Sequence, residues 1–224
     1  MLMDWTALLL SIELGVLTVL VLLPVGVLAG RRLAYRDFRG KGLVEAAVAL
    51  PLVLPPTVLG FYLLVAFGAA SPLGQAWQAL AGRPLAFSFA GLVAASVLFN
   101  LPFAIQPMQR GFEAIPGELR AAASCCGMTP WRAFWTVELP LAWPGVLTAM
   151  VLSFAHTMGE FGVVLMVGGS VPGETRTAAI AIYDRVQAFD DRAAGQMSAA
   201  LLAVSLAAIG LSYAFSRRIG RKLG

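Results

Sequence analysis

Charge is scarce in this sequence: 12% of its 224 residues are Asp, Glu, Lys or Arg, while 59% are hydrophobic. Soluble domains carry about a quarter charged residues, so this composition excludes a soluble globular class and indicates an integral membrane protein. Cysteine is nearly missing too. The two present, Cys125 and Cys126, are adjacent; that spacing serves neither a disulfide framework nor a metal site, and they read as small packing residues. With a single histidine, His156, and no carboxylate pair in an apolar run, an intramembrane enzyme or metal centre has too few parts, and no catalytic residue is assigned. No G-x-x-x-x-G-K-[ST] phosphate loop occurs, so ATP hydrolysis is not assigned to this chain. An internal repeat is missing as well, so one copy does not supply both halves of a transport pathway.

What the chain has in abundance is apolar length. Trp5–Leu28, Leu43–Ala70, Phe87–Met108, Leu141–Val167 and Met197–Phe215 contain no Lys or Arg, and each can cross about 30 Å of hydrocarbon as a helix. Barrel strands would alternate in segments of about ten residues. The fold class is therefore all-α, one transmembrane domain over residues 1–224 with about five spanning helices. The first run lacks a basic n-region and a cleavage site, and is read as a retained helix. The net charge of +4 reports sidedness rather than a nucleic-acid partner. Arg31, Arg32, Arg36, Arg39 and Lys41 follow the first run, Arg110, Arg120 and Arg132 the third, and Arg217, Arg218, Arg221 and Lys222 the fifth. By the positive-inside rule these segments are cytoplasmic, the N-terminus is outside and the C-terminus inside.

Residues 109–140 then form a cytoplasmic loop. Within it, Glu118 to Cys126 is rich in helix formers and small side chains, and Gly127 stands where a C′ glycine stops a helix. Thr129 and Pro130 are suited to cap and open a second helix. A helix, a sharp turn and a helix are expected, with Ala121, Ala122 and Ala123 small enough for a partner's groove to close on. Trp131, Phe134 and Val137 would anchor the second helix to the bundle. Of the outer connections, Ser71–Ser88 reads as a turn-rich segment. In 168–196 an amphipathic helix is expected, with Ile180, Ile182, Tyr183, Val186 and Phe189 on one rough face.

The spacing Ala122-Ala123, Gly127, Val137-x-Leu139-Pro140 resembles the coupling loop of ABC importer permeases, which dock on a separate ATPase. In that family a Glu usually precedes the Ala-Ala pair; Ala121 stands there in this chain, and Glu118 lies one turn earlier. ALPLVLPPTVLGFYLL (Ala49–Leu64), SFAHTMGEFGVVLMVGG (Ser153–Gly169) and PGETRTAAIAIYD (Pro172–Asp184) narrow the resemblance, over nearly the whole chain, to the molybdate permeases and their sulfate kin. It implies a type I importer permease fold and a homodimer. It also implies two copies of a cytoplasmic ATPase, on which ATP and magnesium act, and an extracytoplasmic molybdate-binding protein. This chain itself would bind no cofactor or metal, and its surroundings would be membrane lipid. Molybdate, with tungstate, is the expected cargo; a sulfate or thiosulfate permease is the alternative within the family. A secondary transporter driven by an ion gradient is the alternative outside it, but it would need no docking loop.

Ionisable and helix-breaking residues mark the pathway candidates. His156 and Glu160 lie in the fourth run, where a charged residue costs about 2.5–3.5 kcal/mol on insertion scales. Ser153 lies one turn before His156, and Gly159 and Gly162 flank Glu160 to allow close approach or bending. Glu160 reads as the most deeply embedded carboxylate, holding neighbouring backbone or forming part of a gate. Pro55, Pro56 and Thr57 break the second run, and Asn100 offers a polar point in the third. Two readings of these breaks stand equal: a pathway lining, or kinks internal to the bundle.

Overall fold

The computed structural model describes residues 3–223, with side chains to Gly210, and every regular element among them is helical. The basic residues Arg217, Arg218, Arg221 and Lys222 lie outside the described side chains. The first apolar run becomes α1 (Trp5–Tyr35), whose first turn is capped by the Asp4 carboxylate accepting from the Ala7 amide at 3.0 Å. Its 31 residues extend about 46 Å at 1.5 Å per residue, so the helix continues past the apolar run through Arg31 and Arg32. The third run becomes α5 (Phe89–Glu113), and the fifth lies in α11 (Asp191–Leu223).

The second run is not one helix. α2 (Lys41–Val53) and α3 (Pro56–Phe67) meet at 110°. Leu54 and Pro55 are extended, because Pro55 and Pro56 have no amide hydrogen to continue the ladder and the ring of each disfavours a helical residue before it. Among the described residues there are thus four helices long and apolar enough to cross a membrane, or five if the bent pair counts as one. α2 buries none of its residues. It is tied to α5 by Gln109, whose amide donates to Glu45 at 3.0 Å and to Glu113 at 2.9 Å.

The fourth run also divides, against the expectation of one span to Val167. α8 (Leu139–Gly159) stops at Glu160, which is extended, and α9 (Gly162–Gly168) is a separate short helix packed on α3. At its other end α8 continues from α7 (Pro130–Ala133) through a π-turn, Phe134–Glu138, so Pro130–Gly159 forms one long rod. The segment 71–88, expected to be turns, contains α4 (Pro72–Ala81). Its turn residues are helix punctuation: Ser71 caps, Pro72 opens and Gly82, at φ +71°, closes it.

α1, α5 and α8 form the centre. They approach closely where side chains are smallest: a Cβ added to Gly145 of α8 would lie 2.6 Å from the Pro107 carbonyl oxygen of α5, and one on Gly30 of α1 2.8 Å from the Gln109 amide. Without a hydrophobic drive between helices in lipid, such contact is what holds them. One apolar cluster joins Leu14, Leu63, Phe99, Val164 and Ile180, and a second joins Val27, Met108, Phe112, Phe134 and Val146. α10 (Ala178–Gln187) does not present the expected common face: Ile180 is fully buried, whereas Phe189 lies beyond the helix end at φ +56° and is 93% exposed.

Candidate functional site

The loop between α5 and α8 folds as helix, turn, helix. α6 (Gly117–Cys125) ends in a Schellman arrangement: the Gly127 amide donates to Ser124 at 3.0 Å and the Met128 amide to Ala123 at 3.1 Å. Gly127 has φ +73°, and an added Cβ would meet nothing within 4 Å. Its requirement is conformational, not steric. Thr129 then caps α7 by accepting from the Arg132 amide at 3.3 Å, with Pro130 first in the helix. Glu118, Ala121 and Ala122 are exposed, and Ala123 is the one buried residue of α6. Small side chains thus stand outward on a helix whose C-terminal end is closed by backbone hydrogen bonds.

The expected anchoring by Trp131, Phe134 and Val137 holds only for Phe134. The π-turn sends Phe134 and Glu138 inward, Val137 is half-buried, and Trp131 is 70% exposed, packing edge-on against Trp135 at the open face. Leu139 and Pro140 lie in the first turn of α8 and are half-buried. Cys125 and Cys126 are both exposed, so they are not packing residues: they fall on the outward side of the last turn of α6.

Sequence reasoning missed the charged cluster beneath this loop. Glu138, not Glu160, is the more buried carboxylate, at 5% exposure. It accepts from Arg31 of α1, Nε to Oε2 and Nη2 to Oε1 at 3.2 Å, and Arg120 of α6 places its Nε 3.8 Å from Oε1. The Arg120 guanidinium also sits over the Tyr35 ring at 3.6 Å, and the Tyr35 hydroxyl donates to the Phe112 carbonyl at 3.2 Å. The sequence signal was a lone Glu between Val137 and Leu139 on an otherwise apolar approach to α8.

The second feature is a cavity of about 230 Å³ at the α2–α3 bend, lined among others by Pro51, Leu54, Pro56, Phe103, His156 and Glu160. Asn100 stands behind it, fully buried, and its Nδ2 donates to the Ser96 carbonyl and the Thr157 hydroxyl, both at 2.9 Å. A carbonyl only accepts, so this bond fixes the orientation of the amide. Asn100 Oδ1, 3.1 Å from His156 Nδ1, is then an acceptor, and the imidazole carries its hydrogen on Nδ1. Phe103 packs on the His156 ring at 4.1 Å and Phe99 edge-on at 5.3 Å.

Glu160 caps α9, accepting from the Val163 amide at 2.9 Å. Gly162 packs on Pro56, where a Cβ would fall 2.8 Å from the proline Cβ. The structure therefore gathers Pro56, Asn100, His156, Glu160 and Gly162 around one break. It leaves out Pro55 and Thr57, which are exposed and do not line the cavity, and Gly159, where an added Cβ would meet nothing within 4 Å. Ser153 is buried on another side of α8, near Val19 and Ala104. Among the described residues no group of three His, Cys, Asp or Glu is placed to hold a metal.

Residues 23–223 match the family described as binding-protein-dependent transport system inner membrane component. The chain is 53% identical over 187 residues to the molybdenum transport system permease protein ModB of Azotobacter vinelandii, covering 84% of this chain and 83% of that protein. It is 36% identical over 208 residues to ModB of Escherichia coli K12, covering 93% and 90%. Among solved structures, a bacterial ABC transporter for import of the acidic polysaccharide alginate matches with TM-score 0.77 at 15% identity, over 96% of this chain and 79% of that one. The methionine ABC transporter MetNI in inward-facing conformations matches with TM-score 0.71 at 18% identity, over 96% and 93%. These two likenesses speak for the fold alone.

Proposed function

Because this chain belongs to the binding-protein-dependent transport system inner membrane components, multi-pass transport subunits rather than enzymes, and to the same family as the molybdenum transport permeases, we propose that it is the permease of an ATP-driven molybdate importer, with tungstate as a second cargo. The observation that carries the cargo is the 53% identity to a molybdenum permease over 84% of the chain. The docking loop supports the drive: α6 offers exposed alanines on a helix whose end is set by Gly127.

Two copies form the pathway between them, since one copy supplies no second half. A cytoplasmic ATPase dimer seats on the two α6 helices, and an extracytoplasmic molybdate-binding protein delivers the anion at the opposite end. The end of α1 that carries Arg31, Arg32 and Arg36 is the end at which α6 sits, in agreement with a cytoplasmic docking loop. The cavity at the α2–α3 bend belongs to the gate. Glu160 acts there as a backbone cap and not as a ligand, because a carboxylate repels a dianion. ATP-driven closure of the motor moves the permease between inward-facing and outward-facing states.

The test is uptake of radiolabelled molybdate at low supply in cells with and without the gene, with tungstate or sulfate as competitor and with ATP depleted. Gene- and ATP-dependent uptake that tungstate blocks and sulfate does not is the expected result. Loss of sulfate uptake on deletion would move the cargo to the sulfate kin, to one of which, a probable sulfate permease of Chlorokybus atmophyticus, the chain is 30% identical. Uptake that survives ATP depletion and collapses with the ion gradient would overturn the reading.

A further inference from the structure

We propose that Glu138 is a positioning residue that carries the motion of the docking helix into α1 and α8, through an ionic clamp with Arg120 and Arg31. The proposal rests on reading α6 as the ATPase-docking helix. Glu138 sits in the π-turn that joins α7 to α8, so it is covalently part of the long rod. Arg31 belongs to α1, and Arg120 to α6. Three helical elements thus share one carboxylate.

Packing gives α6 little other purchase on the bundle. Ala123 is its one buried residue, and a cavity of about 210 Å³ lies against it, walled by Arg120, Ser124, Met128, Ala133 and Glu138 among others. Across such a gap a steric push is lost, because dispersion contacts fall away within an ångström. A charge pair is different. Coulomb attraction falls only as the inverse of distance and needs no register, so Arg120 stays engaged while α6 rocks. At 3.8 Å its Nε is already at the loose end of the pair, and it has no hydrogen-bond partner. Tyr35 holds the guanidinium from the other side at 3.6 Å, which keeps it aimed at Glu138.

The π-turn is the second half of the device. A single wide turn inside an α-helix is rare and occurs mostly at functional sites. It occurs here between the docking helices and the spanning helix, with its two buried residues, Phe134 and Glu138, both turned to Arg31: the guanidinium lies 5.3 Å from the Phe134 ring. Displacement of α6 therefore reaches α8 at the π-turn and α1 through the same carboxylate.

The experiment uses the assembled permease and ATPase in lipid nanodiscs, with Cys125 and Cys126 changed to serine and Leu54→Cys as a reporter in the cavity at the bend. Labelling of this cysteine by an impermeant maleimide is followed with and without ATP, alongside ATPase copurification. In the parent, ATP is expected to change the labelling rate by about tenfold, the size of an ordinary coupling between sites. Arg120→Gln leaves Arg31 and Glu138 paired and should keep the ATPase bound, yet reduce the ATP-dependent change to less than about twofold. Arg120→Lys, which keeps the charge but not the guanidinium plane, should restore most of it. Glu138→Gln should behave as Arg120→Gln; if it fails to insert, the Arg120 pair decides. A full ATP response in Arg120→Gln overturns the clamp, as does equal loss in Gln and Lys, which would mean packing and not charge. A parent that binds no ATPase overturns the docking reading, and the clamp with it.

Discussion

Asn100 offers the most quantitative test of how the cavity wall is built. It is fully buried and makes three hydrogen bonds, two of them from α5 to α8: Nδ2 to Thr157 and Oδ1 from His156. Asn100→Leu keeps the branch at Cγ and removes both hydrogen-bonding groups; because Leu is the larger side chain and the site is fully buried, overpacking adds to the chemical loss. Interhelical hydrogen bonds in membranes average about 0.6 kcal/mol and reach about 1.7. Two lost bonds and a stranded Nδ1 hydrogen on His156 give a destabilisation of about 1–3 kcal/mol. The assay is reversible unfolding in mixed micelles by titration with sodium dodecyl sulfate, followed by circular dichroism. His156→Phe removes the same contact from the other side, so the double variant closes a cycle in which about 0.5–1.5 kcal/mol of the loss is shared. Additivity of the two changes within about 0.3 kcal/mol would show that Asn100 and His156 do not hold each other, and would refute both the bond and the assigned Nδ1 hydrogen.

Gly127→Asp is expected to leave the protein inserted, since nothing lies within 4 Å of the added Cβ. It should nevertheless abolish ATPase copurification, chiefly because it puts a charge on the docking face. Asp tolerates φ +73° better than most side chains, so strain adds only part of the left-handed penalty of about 1–2 kcal/mol; normal copurification would sink the docking role. Gly145→Leu should break the α5–α8 contact, as its Cβ alone would stand 2.6 Å from the Pro107 oxygen, and lower the melting temperature in detergent by several degrees. Glu160→Ala removes the cap on the Val163 amide and should cost about 0.5–2 kcal/mol, whereas Glu160→Gln retains an acceptor and should cost less than half of that; equal losses, measured by the same titration, would rule out the capping role.

Much of this molecule is legible from local chemistry. Spanning helices follow from apolar length, the α2–α3 break from Pro55 and Pro56, and the turn between α6 and α7 from Gly127, Thr129 and Pro130. Each of these signals acts within about one helical turn of the residue that carries it. The misreadings share a cause as well. Ser71, Pro72 and Gly82 mark the ends of a helix as readily as a loop, and α4, which buries only Gly74, has no buried apolar face that would tell the two apart. An apolar run such as Leu141–Val167 records transfer into lipid but not where the backbone leaves the helix, so the stop at Glu160 and the separate α9 stayed hidden.

The sequence by itself determined the all-helical class, the membrane setting, the helix, turn and helix around Gly127 and the break of the second run at Pro55 and Pro56, because these depend on transfer free energy and on the covalent limits of Pro and Gly. Only the tertiary structure decided which polar groups meet. Arg31 and Glu138 are 107 residues apart, and Asn100 and Thr157 are 57 apart. No periodicity relates them, and their pairing is set by the rotation of α1, α5 and α8 about their axes. That rotation is fixed in turn by the close contacts at Gly30, Gly111 and Gly145.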